Sequence, residues 1–172
     1  VLVENPAFPP LLDLLDLLWP RHCLACGALI RTDAPPLGLC LACHGRLAAI
    51  DPLASCATCA LPLARGAVLQ QCGRCLANPP EFDRLTALWR YETPLKEVVQ
   101  AFKFGRLDFL GAHFARALGQ ALAGRGREEY EWTPPDLFVP LPLPWPRRLA
   151  RGFNQTELLA WPLARQFDRP CP

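Results

Sequence analysis

Eight of the nine cysteines fall in Cys-x-x-Cys pairs: Cys23/Cys26, Cys40/Cys43, Cys56/Cys59 and Cys72/Cys75. The gaps between pairs hold 13, 12 and 12 residues. Such a turn sets two thiolates on one side of a tight knuckle. Two knuckles facing each other complete a tetrahedron of sulfurs around zinc. Gly27 after Cys26 and Gly73 inside the last pair ease the backbone bend. The pattern predicts two structural Zn²⁺ ions, each held by four cysteines with no open position for catalysis. A disulfide framework is the competing reading; it needs an oxidising compartment and, with it, a secretion signal, which these residues lack. Four pairs in series also argue against a thioredoxin-like redox motif. Sequential pairing of the knuckles encloses shorter loops than interleaved pairing and is favoured on closure entropy. His22 and His44 lie beside ligands but are surplus to a full sulfur set. Cys171 stands alone. His113 sits within a helical pattern and reads as a helix residue before a general base.

A second constellation lies in PRRLARGFNQTELLA, residues 146–160. Arg147, Arg148 and Arg151 offer forked donors, and Gly152 lets a backbone come close to an anion. Asn154, Gln155 and the N–H groups of a following helix add donors. Lys103, in Phe-Lys-Phe-Gly, is a further phosphate candidate. No residue here is assigned a catalytic role. Glu128-Glu129 reads as a solvated pair in a connection.

The elements that must position these residues follow from periodicity. A chain of 172 residues with 51% hydrophobic content supports one domain or two small ones. The formal charge of +2 gives bulk electrostatics no reason to gather nucleic acid. Leucines at 11, 12, 14, 15, 17 and 18 around Asp13 and Asp16 predict an amphipathic helix over 9–19. The run is too short for a membrane span and unlike a signal peptide, which points to the cytoplasm. A small helix is expected near Cys40. LTALWRY, residues 85–91, reads as a strand. LKEVVQAFKF reads as a helix ended by Gly105, and DFLGAHFARALGQALA as a second. DLFVPLPLP, residues 136–144, reads as a strand whose prolines confine its far half to an edge or loop. Asn154 or Thr156 caps a last helix, with Pro162 implying a kink or second start. Strand, helix, helix, strand, helix points to α/β with a parallel sheet.

The four cysteine pairs, then CGRCLANPPEFDRLTALWRYETPLKEVVQAFKFGR, then PDLFVPLPLPWPRRLARGFNQTELLA, closely resemble the ComF/GntX (competence protein F-like) family. The resemblance spans about residues 11 to 168. It implies a fold of a cysteine-rich double zinc ribbon followed by the first part of a type I phosphoribosyltransferase-like parallel α/β domain. The expected division is an amphipathic helix over 1–20, the ribbon over 21–80 and the partial transferase-like domain over 81–172. Such domains bind 5-phosphoribosyl-1-pyrophosphate with Mg²⁺, and the segment around Val139 to Gln155 resembles the part that approaches the pyrophosphate. The family's acidic pair and Thr-Thr-Gly loop do not occur in these residues. The expectation is therefore a C-terminally truncated form that does not transfer phosphoribosyl groups. The family is associated with DNA uptake in competent bacteria. That leaves a second reading, in which the ribbon and arginine loop hold single-stranded DNA or a partner protein. Phe153, Trp145 and Trp161 would then stack bases, against the commoner use of aromatics in cores.

Overall fold

The computed structural model describes residues 20–30, 34–64, 70–125 and 135–172. The expected helix over 9–19 and Glu128-Glu129 lie outside them. Six helices are present among the described residues: α1 (Leu41–His44), α2 (Gly73–Ala77), α3 (Leu95–Phe104), α4 (Leu110–Arg125), α5 (Trp145–Arg151) and α6 (Gln155–Gln166).

Helix α3 buries Leu95, Val98 and Phe102, the stripe its spacing predicts. Gly105 caps its C-terminus, and a Cβ there would sit 2.7 Å from the Ala101 carbonyl oxygen, so the position favours glycine. Helices α4 and α6 pack face to face. Gly111 and Gly119, both on α4, make the approach close: a Cβ on Gly111 would lie 2.7 Å from Leu158 Cβ. Helix α6 runs on through Pro162 without a second start.

The main core contains Leu95, Val98, Phe102, Leu110 and Phe114 from the helices together with Cys23, Leu37, Leu39 and Cys43 from the cysteine-rich segment. The first knuckle pair is thus built into the helical core. The second forms a separate small cluster of Cys56, Cys72 and Cys75, with Cys59 and Leu63 packed against it.

The expected parallel sheet is absent from the described residues, where only isolated antiparallel bridges form: His22 with Leu29, Ala49 with Trp89, Ser55 with Pro62. Residues 88–90 pair with the ribbon rather than with 136–144: Ile50 N–H donates to Leu88 O and Arg90 N–H to Ala48 O. Residues 137–144 form no regular element. Pro140, Pro142 and Pro144 have no N–H to offer a ladder. Phe138 N–H goes to Pro170 O in the tail.

Candidate metal centres and the basic junction

Each ribbon begins with a short hairpin. In the first, Cys23 N–H donates to Ala28 O and Ile30 N–H to Arg21 O; in the second, Cys56 N–H donates to Leu61 O and Leu63 N–H to Ala54 O. The two turns repeat each other. Gly27 N–H bonds Cys23 O and Ala60 N–H bonds Cys56 O, both at 2.9 Å. Gly27 and Ala60 both adopt positive φ, at 72° and 57°. The second pair of each ribbon lies on a helix: Cys40 caps α1, which carries Cys43, and Cys72 caps α2, which carries Cys75.

This geometry gathers Cys23, Cys26, Cys40 and Cys43, and separately Cys56, Cys59, Cys72 and Cys75, with all sulfurs of a set within 4.8 Å of one another. The grouping is sequential. The Sγ atoms of Cys26 and Cys40 are 3.7 Å apart, as are those of Cys59 and Cys72. A zinc–sulfur bond of about 2.3 Å gives a tetrahedron edge of roughly 3.8 Å. None of the cysteines is in a disulfide. Backbone N–H groups support the sulfurs: Cys43 N–H reaches Cys40 Sγ at 3.5 Å and Cys72 N–H reaches Cys56 Sγ at 3.3 Å.

The thiols divide by environment. Burial pushes Cys23 up, but N–H groups of Cys40, Cys26 and Ala25 outweigh it and bring it down to about 6. Cys56 is likewise lowered to about 6: burial is overcome by the N–H groups of Cys59, Cys72 and Thr58. Cys43 is pushed up to about 12 by burial and by sharing hydrogen bonds with its three sulfur neighbours. Cys75 rises to about 12 for the same reasons. Four sulfurs this close cannot all carry charge unaided; a divalent cation makes the set consistent. Both four-cysteine clusters therefore fit structural zinc. His22 is exposed and His44 half-buried, and neither is among the residues that meet at a cluster.

The arginines arrive differently. Arg147, Arg148 and Arg151 sit on α5, a helix that the sequence reading does not anticipate. Helix α5 ends at Gly152, in the left-handed region at φ 84°. Phe153 then turns inward and stacks on Phe102, ring centroids 5.7 Å apart. That contact places it in the core instead of on a base-stacking face. Asn154 is buried and fully engaged. Its Oδ1 accepts from Thr156 N–H and Oγ1, and its Nδ2 donates to Leu141 O and Glu157 Oε1. Gln155 is buried, and its Oε1 accepts from Arg151. Arg148 makes a two-pronged ion pair with Glu157 at 3.1 and 3.4 Å. Arg147 is exposed, as is Lys103.

The structure brings together two basic words that are far apart in the chain. Arg106 Nη2 donates to Ala150 O at 3.4 Å. The Arg151 guanidinium lies over the Phe104 ring, 5.1 Å from its centroid. The end of α3 and the residue past it, Phe104 and Arg106, thus meet the end of α5 at Ala150 and Arg151; Lys103, Arg147 and Arg148 lie on the same two helices. Sequence reasoning missed Arg106. Its signal was the word Phe-Lys-Phe-Gly-Arg, whose last residue sits just past the helix stop.

Comparison with known proteins agrees with the double ribbon. A family model described as a double zinc ribbon domain matches residues 14–76. DNA utilization protein YhgH of Salmonella typhimurium is 38% identical over 128 residues, which is 74% of this chain and 54% of that protein. Competence protein F of Haemophilus influenzae is 32% identical over 133 residues, 77% of this chain and 56% of that protein. DNA utilization protein YhgH of Escherichia coli K12 is 36% identical over 111 residues, 64% of this chain and 47% of that protein. No solved structure matches the chain. Ribbon and thiol clusters together define the class: a double zinc ribbon protein. Over about three quarters of its length the chain is homologous to competence protein F and to the DNA utilization proteins. It spans about half the length of the curated relatives it matches. No helix among the described residues is long and apolar enough to cross a membrane.

Proposed function

We propose that this chain is a zinc-stapled module of a cytoplasmic DNA-utilisation protein, and that its basic junction contacts the phosphates of single-stranded DNA. The observation that carries this is the meeting of the ends of α3 and α5, where Arg106 bonds Ala150 O and Arg151 lies over Phe104, on helices that also carry Lys103, Arg147 and Arg148. Charge concentrated at one spot attracts phosphate even when the net charge is only +2. Trp145, at the start of α5 and exposed at 69%, offers a stacking surface on the same helix. The names of the relatives, DNA utilization and competence, support the same direction.

A second reading keeps the site and changes the ligand. The segments that meet here are the ones that resemble a phosphoribosyltransferase-like domain over 81–172, so the pyrophosphate of phosphoribosyl pyrophosphate with Mg²⁺ is the alternative anion. Titration separates the two. Oligothymidylate should bind with a steep salt dependence, and Arg147→Ala or Lys103→Ala should each lower the slope by about one. Saturable binding of phosphoribosyl pyrophosphate with Mg²⁺, and none of oligothymidylate, would favour the second reading. If neither binds to protein carrying two zinc ions, both readings fail and the ribbon alone stands.

A further inference from the structure

A cleft of about 280 Å³ lies between the first knuckle and α4, lined by Arg21, His22, Leu24, Ile30, Pro35, Phe109 and His113 among others. It is separate from the thiol clusters and from the basic junction. Its size lies just below the roughly 300 to 1,000 Å³ of most ligand clefts. Its walls are mostly apolar. Phe109 is 52% exposed and meets the His113 ring edge-on, with centroids 6.2 Å apart. Pro35 and Pro36 supply further apolar surface. Among the described residues, the polar lining side chains are Arg21, His22 and His113, and none that lines the cleft is acidic. An aromatic face beside a guanidinium and two imidazoles suits a flat ring that carries an anionic group.

We propose that this cleft binds a small aromatic anion of the nucleoside monophosphate class. The base would lie against Phe109 and the proline surface, and the phosphate would face Arg21 with hydrogen bonds from His22 and His113. The position gives binding a structural consequence. Leu24 lies next to Cys23 in the chain and its N–H donates to Gly38 O at 2.9 Å, so a ligand here covers the outer side of the first knuckle.

The test is calorimetric titration of the full zinc-loaded chain with adenosine 5′-monophosphate. One saturable site is expected. Phe109→Ala and His113→Ala should each weaken it about tenfold, while both variants keep two zinc ions. Arg147→Ala, in the basic junction, should leave it unchanged. Adenosine and ribose 5-phosphate, each lacking half of the ligand, should both bind more weakly than the nucleotide. Absence of saturation at millimolar nucleotide overturns the proposal. So does equal binding by the Phe109 and His113 variants, or loss of binding in Arg147→Ala, which would assign the nucleotide to the basic junction instead.

Discussion

At the scale of single residues, Asn154 shows how a group with ligand-like chemistry is spent on structure. It caps α6 and ties residue 141 to that cap. Asn154→Ala removes a cap and one of the two donors to the Leu141 carbonyl, leaving it the Thr156 hydroxyl. Denaturant unfolding should show a loss of about 2 kcal/mol. The Arg148–Glu157 pair is a contrast. Arg148 is 49% exposed, so solvent screens the pair, and Arg148→Ala should cost under about 1 kcal/mol in the same measurement. The thiols make a pH prediction. Cys43 and Cys75, raised to about 12, hold protons at neutral pH that zinc must displace. Cys23 and Cys56 have values lowered to about 6, so their thiolates exist above that pH and are lost below it. Zinc retention against a chromogenic chelator should therefore fall as pH falls, and more steeply below about pH 6. The cysteines were the most legible residues because metal chemistry demands one residue type at one spacing. The fate of Phe153, Asn154 and Gln155 was not legible. Whether such a residue faces a ligand or the core depends on Phe102 and Leu141, and contacts that distant leave no trace in local spacing.

At the scale of elements, the α4–α6 contact carries the sharpest test. A Cβ on Gly111 meets Leu158 at its own Cβ, which cannot swing aside. At Gly119 the obstacle is the amide end of the Gln166 side chain, which is exposed and flexible. Gly111→Ala should destabilise by about 1 to 3 kcal/mol, and Gly119→Ala by less, although alanine favours helix at both positions. Thermal melts of the two variants check the order. Helices α3 and α4 were readable from apolar spacing and a glycine stop. Helix α5 was not, because the prolines at 144 and 146 read as breakers; at a helix start the missing N–H costs nothing. The strands failed for a different reason. A strand exists only through its partner, and residues 88–90 found theirs in the ribbon, at 48–50.

At the scale of the whole molecule, the two metal centres are unequal. Cys23 and Cys43 share one core with α3 and α4, whereas the second cluster stands apart. Cys59→Ser should lose one zinc ion and leave the helical circular-dichroism signal nearly intact. Cys43→Ser should lose helical signal as well as metal. Equal losses in the two variants would show that the centres are energetically alike. The resemblance in the cysteine, Phe-Lys-Phe-Gly and Arg-Gly-Phe-Asn-Gln words carried the family relation, but the unequal burial was invisible to it, since both ribbons share one spacing. The shared core also bears on how the protein is made and kept. A chain synthesised under zinc shortage cannot close Cys23 and Cys43 around an ion, so Val98, Phe102 and Phe114 are left poorly covered. Such a chain is a substrate for proteases before it is a partner for anything else. The level of this protein in zinc-starved cells is therefore expected to fall, through a shorter lifetime of the newly made chain, which a pulse-chase measurement checks.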